Sequence, residues 1–495
     1  MIALPRLTAE RVRETWPTAL GLAALFALLL LIGLFTGLAG SGAWMLLLVP
    51  SLAFVAAMAA AMLRLSYLKM GIAALLLLHL LLPLLLKTKG INWVNNWQFL
   101  AMGLGLTGLL ALAREAGRDG LLRASLICYG LFLALMLLSA GVAGQSRGLA
   151  AAYQLFSLLK PLLMLGAGFA LLRLASPGRP LWWINDWSWL PLLALVAWQW
   201  GAPGSYTQVF PYPHGPASDV GGLLPSRAFG VYEHPGVLAS FTAAMTLMAL
   251  LRGLNLPQQR RRGLLLALIY FALLLASGER GELAAMLVSL AALYLWNRRG
   301  QLASRLVLVL PMVALLAAGY WMLYGDTLVQ EAAQWGGARH SAIEHPRAQL
   351  YEGAAYLANK HFPLGSGLGT YGGAGAAKFD LSIYLSLGFG RHWWFGEDNY
   401  LLDIFWHNAL GEGGWFALVA QVLQYLLLSA YALRHYLGSQ GLQRVYWGGA
   451  GFGMIYILGN SLASPSFQDP RLFVWTALCF GLAVQQRQAD EARAQ

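Results

Sequence analysis

The chain has 495 residues, of which 58% are hydrophobic and 11% are charged, and its mean hydropathy is +0.59. Soluble globular proteins carry roughly 25% charged residues, so this composition excludes an ordinary soluble domain and indicates a polytopic helical membrane protein. The net charge of +12 does not indicate a nucleic-acid partner, because no basic patch alternates with aromatic residues. Cys128 and Cys479 both lie in apolar runs and predict neither a disulfide nor a metal site.

Apolar runs near the length that a helix needs to cross a bilayer recur along the whole chain. We therefore predict an all-α fold, a polytopic transmembrane helical bundle of about 14 spans (range 12–14), which forms a single integral membrane domain over residues 1–495. The predicted spans are 17–38, 43–63, 70–86, 97–113, 121–142, 149–172, 187–202, 235–251, 263–277, 281–296, 306–324, 410–432, 446–463 and 471–486.

The distribution of Lys and Arg predicts how these spans are oriented. Positive residues collect in cytoplasmic loops. If the N-terminus is cytoplasmic, most Lys and Arg outside the longest loop fall on the cytoplasmic side, and the C-terminus is cytoplasmic too. The same count places a large loop, residues 325–409, on the outer side. His345-Pro346 predicts a helix over about 346–360 within it, because Pro is favoured in a first helical turn.

Two polar clusters stand at the outer ends of predicted spans. Residues 227–236 read RAFGVYEHPG, and residues 276–282 read ASGERGE. Arginine is disfavoured on the outer face, and charged groups at membrane depth are usually functional. The structural alternatives are helix capping beside Pro235 and an exposed hairpin in which Arg280 pairs with a neighbouring glutamate.

The large outer loop contains Arg347 and a glycine-rich run, PLGSGLGTY, at residues 363–371. Gly367, Gly369 and Gly372 match the spacing G-x-G-x-x-G. The dinucleotide fingerprint also requires a preceding strand in a βαβ unit, which is missing from this pattern. We interpret the run as a glycine turn that shapes the site.

A fourth cluster, residues 395–414, leads into the next predicted span. Asp398 stands at its start, Asp403 and His407 are four residues apart and could share a helix face, and Glu412 precedes a Gly-Gly pair. A carboxylate or a histidine here could remove a proton from a substrate hydroxyl. The structural alternative is helix capping, because acidic side chains suit a helix N-terminus.

In this order, the four clusters resemble the O-antigen ligase and O-antigen polymerase superfamily of bacterial membrane glycosyltransferases, which are GT-C-like. The resemblance rests on Arg227-x-x-Gly230 with His234-Pro235, on Ser277-x-x-Arg280-Gly281, on Arg347, on Pro363-Leu-Gly-x-Gly-x-Gly-Thr-Tyr371, and on the stretch that leads to Glu412. It covers roughly residues 220–420, and the preceding part of the chain matches only as hydrophobic helices.

The resemblance implies a metal-independent, inverting transferase of the bacterial inner membrane that uses no cofactor and acts at the periplasmic face. Arginine suits a diphosphate leaving group, because its planar fork donates to phosphate oxygens. We predict that Arg227 and Arg280 bind the diphosphate, assisted by Arg347 or Arg147. The base that removes the acceptor proton is predicted to be Asp398, His407 or Glu412. The predicted substrate-binding residues are Tyr232, His234, Asn399 and Tyr371. The implied partners are an undecaprenyl-diphosphate-linked oligosaccharide, an acceptor glycan or lipid A core, membrane lipids and polysaccharide-assembly proteins.

One departure from the family pattern bears on the reaction. Ligases of this family carry a histidine followed by a small polar residue before the last motif, and the best-aligned pair here is Asp398-Asn399. We therefore predict an O-antigen or exopolysaccharide polymerase, which joins lipid-linked repeat units, ahead of a ligase, which transfers glycan to lipid A core. A third alternative, a transporter of lipid-linked sugars, would place its polar site at mid-membrane, whereas these polar residues gather at one face.

Overall fold

A computed structural model of the chain describes residues 97–171, 178–210, 226–296, 346–392, 394–396 and 400–494. Within these residues the chain is all-helical, as predicted, and contains no strand. Four predicted spans, 17–38, 43–63, 70–86 and 306–324, lie outside the described residues. So do the predicted base Asp398 and the predicted substrate residue Asn399.

Ten helices either contain most of a predicted span or directly precede one in the chain. They are α1 (Trp97–Arg118), α2 (Gly120–Ala143), α3 (Gly148–Leu171), α4 (Gly178–Trp187), α5 (Trp189–Gly201), α7 (Pro235–Asn255), α8 (Arg260–Ala276), α9 (Arg280–Trp296), α13 (Trp406–Gly438) and α14 (Gly441–Asn460). The last predicted span lies in α15 (Pro470–Ala494), and the short helices are α6 (Pro203–Val209), α10 (Pro346–Lys360), α11 (Ala374–Phe379) and α12 (Ser382–Ser386). Three short 3₁₀ turns complete the set, at Pro257–Gln259, Phe389–Arg391 and Tyr400–Leu402.

Four of these helices, α2, α3, α7 and α13, are long and apolar enough to cross a membrane. Each coincides with a predicted span; the ends of α2 and α3 differ from the predicted ends by one residue, whereas α7 and α13 extend beyond their predicted spans. The predicted span 187–202 corresponds to α5, and α4, which precedes it, was not predicted. The total of about 14 spans stays a prediction.

The bundle is held together by helices that approach closely through small residues. Helix α14 packs against α7, α9, α13 and α15. A Cβ atom added at Gly449 of α14 would lie 2.7 Å from Sγ of Cys479 on α15. Between α1 and α3, a Cβ atom at Gly105 would lie 2.0 Å from the carbonyl oxygen of Leu163. Small residues at such contacts let backbones approach closely, as is common where helices pack within a membrane.

Ion pairs occur at both ends of the bundle. We call one end the loop end, because the described residues of the segments 144–147, 226–234, 277–279, 346–392, 394–396 and 400–405 lie there. At the opposite end, α13 and α15 pair with the turn between α1 and α2 through two contacts, Arg434 with Asp119 and Arg487 with Glu115.

The loop end carries a second apolar core above the bundle. Helix α10 spans Pro346–Lys360, as predicted from His345-Pro346, and packs against α13. Its Leu350 and Ala354 join Tyr384 and Trp394 in one buried cluster. This cluster fixes the polar segments 361–373 and 400–405 against the ends of the long helices.

Candidate functional site

The segment 226–234 is fixed at the loop end by its backbone. The amide of Ala228 donates to the carbonyl of Ala276 at the end of α8, at 3.0 Å. Nε2 of Gln199 on α5 donates to the carbonyl of Arg227 at 2.9 Å. The two predicted motifs around Arg227 and Arg280 are therefore neighbours in space, although a helical hairpin separates them in the chain.

An ion pair joins the two motifs. Nη1 of Arg227 lies 3.8 Å from Oε1 of Glu279, and both side chains are partly exposed. Gly278 adopts a left-handed conformation (φ +67°), which makes the sharp turn that presents Glu279. Arg280 follows directly and is half-buried where α9 begins. One carboxylate thus lies beside two arginines at this turn.

His234 is the N-cap residue of α7. Its Nδ1 accepts a hydrogen bond from the amide of Gly236 at 3.0 Å, and Pro235 is the first helical residue. The same Nδ1 lies 4.0 Å from Oε1 of Glu279, and the side chain of His234 is 55% exposed. His234 therefore caps the helix and also faces the solvent side of the ion pair. The predicted substrate residue Tyr232 is buried, at 1% exposed.

The second carboxylate of the ASGERGE motif points into the bundle. Glu282 accepts hydrogen bonds from Oγ of Ser240 at 2.9 Å and from Nδ2 of Asn460 at 2.8 Å, and it contacts the hydroxyl of Tyr456. These bonds tie the first turn of α9 to α7 and α14. Glu282 therefore holds Arg280 in place from below, while Glu279 remains at the surface.

Arg347 adds a third arginine from the large loop. Its Nη2 lies 3.4 Å from Oδ2 of Asp403, and the two side chains are 42% and 30% exposed. Burial raises the pKa of Asp403 above its ordinary value, and the guanidinium of Arg347 and the ring of His234 oppose that rise. The electrostatic effect of His234 on Asp403 connects this pair with the 226–234 segment. Asp403 lies before α13 begins, so it does not share a helix face with His407.

We call six charged or polar residues at this end the loop-end charged cluster: Arg227, Arg280, Arg347, Glu279, His234 and Asp403. Within it, Arg227 and His234 lie near Glu279, Arg347 contacts Asp403, and Arg280 follows Glu279 directly in the chain. Three arginines stand against two carboxylates, so the cluster has excess positive charge. Its members come from the segment before α7, the turn before α9, the start of α10 and the segment before α13. Such a set can bind an anion through the guanidinium groups.

Glu412 is enclosed by the glycine turn. Its side chain is 0% exposed, and its Oε1 accepts from the amide of Tyr371 at 3.0 Å. Oγ of Ser139 on α2 donates to the carbonyl of Glu412 at 2.6 Å. Gly369 (φ +77°) brings the turn so close to α3 that a Cβ atom would lie 2.5 Å from the carbonyl carbon of Ala150. In this arrangement the Glu412 carboxylate is buried and binds the backbone of the turn.

His407 and Tyr371 are also buried. The His407 ring is 0% exposed, and its Nε2 lies 3.2 Å from the carbonyl oxygen of Leu401. The Tyr371 hydroxyl donates to the carbonyl of Leu350 at 2.8 Å, and its ring stacks on Tyr384 at 4.7 Å between centroids. Both predicted site residues therefore serve the core of the loop end in this structure.

Arg147 belongs to a different part of the loop end. Its Nε lies 2.9 Å from Oδ2 of Asp380, which follows α11. The Arg147 side chain is 65% exposed. The structure thus joins Arg147 to the α11–α12 segment, whereas Arg227, Arg280 and Arg347 meet in the loop-end charged cluster.

The sequence reasoning did not single out the connection between α14 and α15. Nε1 of Trp406 donates to Oγ of Ser461 at 3.0 Å, and Phe467 stacks on Tyr425 with 3.6 Å between ring centroids. Gly281, beside Arg280, packs against Ala463. The sequence signal was available: SLASPSFQD, residues 461–469, is a polar, proline-containing run at the end of a predicted span.

Among the described residues, no group of three His, Cys, Asp or Glu side chains is arranged to hold a metal ion. Comparison of the chain with protein-family models and with curated proteins finds no match in either set.

Proposed function

We propose that this chain is a membrane glycosyltransferase that extends polysaccharide at the periplasmic face of the bacterial inner membrane. In this proposal it is a polymerase, which transfers glycan from undecaprenyl diphosphate onto another lipid-linked repeat unit. The observation that carries the proposal is the loop-end charged cluster, in which Arg227 pairs with Glu279, Arg347 pairs with Asp403, and Arg280 stands next to Glu279 in the chain, all at one end of an apolar bundle. The resemblance of these segments to the O-antigen superfamily supports the same assignment.

The donor fits this arrangement because its two parts need different surroundings. The undecaprenyl chain is apolar and stays among the helices and lipid, while the diphosphate must lie at the end of the bundle. Arg227, Arg280 and Arg347 are partly exposed there and can donate to phosphate oxygens. The leaving diphosphate gains negative charge as the sugar departs, so fixed guanidinium groups stabilise the transition state more than the ground state.

In the proposed reaction, a hydroxyl oxygen of the acceptor sugar attacks C1 of the donor sugar. The new C1–O bond forms as the C1–O bond to phosphate breaks, and the electron pair of the broken bond leaves with undecaprenyl diphosphate. The configuration at C1 inverts, and the acceptor proton passes to a base. The reaction is proposed to proceed without a metal ion, because the arginines supply the positive charge.

Deletion of the gene tests the proposal in the cell. The expected result is surface polysaccharide reduced to single repeat units on lipid A core, with restoration of long chains by the wild-type gene and not by Arg280→Ala. Long glycan retained on its lipid carrier would identify a ligase instead. Unchanged surface polysaccharide and unchanged lipid-linked intermediates would contradict both assignments and favour a transporter or another role.

A further inference from the structure

The proposed transfer needs a base, and the described candidates differ sharply in their access to a ligand. Glu412 and His407 are both 0% exposed. Glu412 is engaged by the glycine turn, and His407 faces the carbonyl of Leu401. Asp403, by contrast, has a side chain that is 30% exposed. An acceptor hydroxyl can therefore approach Asp403 without displacing the core of the loop end.

Asp403 also lies where the donor would be held. Its Oδ2 is 3.4 Å from Nη2 of Arg347, and His234, from the segment before α7, acts on it electrostatically. His234 in turn lies 4.0 Å from Glu279, which pairs with Arg227. Asp403 thus contacts one of the arginines that are proposed to bind the diphosphate, and the attacked sugar carbon must lie next to that diphosphate.

We propose that Asp403 is the acceptor-activating base of this site. The inference rests on the proposed function, because it assigns one step of the proposed transfer. The Asp403 carboxylate takes the proton of the acceptor hydroxyl while that oxygen forms its bond to C1 of the donor sugar. The protonated Asp403 then releases the proton to solvent after undecaprenyl diphosphate leaves.

The alternative role for Asp403 is to position Arg347 through a salt bridge. The contact of 3.4 Å is long for a charge-assisted hydrogen bond, and a pair this exposed contributes little to stability. Burial raises the pKa of Asp403, although Arg347 and His234, the titratable groups that act on it among the described residues, both favour a lower pKa. A raised pKa makes a carboxylate a better base at neutral pH, as long as the pH stays above that pKa.

The test compares Asp403→Asn with wild-type protein in lipid nanodiscs. Binding is measured with undecaprenyl diphosphate alone, and turnover is measured with lipid-linked oligosaccharide extracted from the gene-deletion strain. Asp403→Asn should bind undecaprenyl diphosphate as the wild type does but should extend glycan at least about 100-fold more slowly. Asp403→Glu, which keeps a carboxylate, should recover part of the rate.

The pH profile separates the two roles of Asp403. With a raised pKa, the wild-type rate should fall as the pH decreases, because the carboxylate becomes protonated and can no longer accept a proton. The residual rate of Asp403→Asn should not fall in this way at low pH; we call this fall the acid limb of the pH profile. The matched control is Asp380→Asn, a loop-end carboxylate that pairs with Arg147 outside the charged cluster, and it should keep both the rate and the acid limb.

Three outcomes would overturn the inference. If Asp403→Asn extends glycan at the wild-type rate with the same acid limb, another group is the base. If Asp403→Asn loses affinity for undecaprenyl diphosphate while its maximal rate is unchanged, Asp403 only positions Arg347. If the wild type binds undecaprenyl diphosphate but extends nothing, the proposed function fails, and the base assignment fails with it.

Discussion

Nη1 of Arg227 lies 3.8 Å from Oε1 of Glu279, although one residue precedes α7 and the other follows α8. The two side chains are 32% and 20% exposed, so solvent screens the pair and it contributes little to stability. A diphosphate carries more negative charge than one carboxylate and can compete for the same guanidinium. The pair therefore orients Arg227 without preventing it from binding a ligand.

Replacing Arg280 should weaken binding of the donor carrier. A hydrogen bond to a charged group contributes about 1.5–3 kcal/mol, so Arg280→Ala should lower the affinity for undecaprenyl diphosphate by roughly 10- to 100-fold. Arg147→Ala is the matched control, because Arg147 is exposed and pairs with Asp380. Equal losses of affinity in both variants would mean that the loop-end charged cluster has no special role in binding.

Replacing Glu279 should have the opposite effect on the affinity for undecaprenyl diphosphate. Glu279→Gln removes a negative charge from beside Arg227 and His234, so the affinity for undecaprenyl diphosphate should rise, and the rise should be largest at low ionic strength, where charges are least screened. Titrations at two salt concentrations measure this. A weaker affinity in Glu279→Gln would indicate that the carboxylate is needed to orient Arg227.

Glycines of the loop end with positive φ angles should tolerate substitution only where they do not touch the bundle. Gly369 and Gly388 both have positive φ angles (+77° and +83°). A Cβ atom at Gly369 would lie 2.5 Å from the backbone of Ala150, whereas one at Gly388 would have no heavy atom within 4 Å. Gly388→Ala bears only the left-handed strain, about 1–2 kcal/mol, and Gly369→Ala adds a steric clash.

Thermal unfolding of the two variants in the same detergent checks this difference. Gly369→Ala should have the lower unfolding temperature and should expose Glu412 to solvent, because the turn that encloses its carboxylate must move. Similar unfolding temperatures for Gly369→Ala and Gly388→Ala would show that the close contact with α3 does not matter for stability.

A chelator should leave the rate of glycan extension unchanged. In the proposed reaction the arginines of the loop-end charged cluster supply the positive charge that a metal ion supplies elsewhere. Extension assays with and without EDTA, each followed by added magnesium, test this point. A rate that falls with EDTA and returns with magnesium would contradict the metal-free assignment.

Hydropathy was sufficient to locate the helices. The predicted spans 121–142, 149–172 and 281–296 correspond to α2, α3 and α9 with ends that differ by one or two residues. Pro346 also predicted the start of α10 correctly. These predictions succeed because apolar length and proline position are local properties of the chain. The short helix α4, which precedes the span at α5, was not predicted from hydropathy.

The sequence predicted which arginines the site contains. It did not predict which side chains are buried or paired, because those properties depend on the folded chain. The order of the motifs led to Arg227, Arg280 and Arg347, and the structure places all three at one end of the bundle. No sequence pattern showed that the glycine turn would enclose Glu412. Asp403 was noticed only for its spacing from His407, and its contact with Arg347 joins residues that are far apart in the chain.

The most direct test of the central claim is glycan extension by the purified protein. Wild-type protein and Arg280→Ala, each in lipid nanodiscs, are incubated with lipid-linked oligosaccharide from the gene-deletion strain, and product length is measured on a gel. The account predicts a ladder of longer lipid-linked glycans with wild-type protein and none with Arg280→Ala. A wild-type reaction that leaves the oligosaccharide at its original length, or a full ladder with Arg280→Ala, would contradict it.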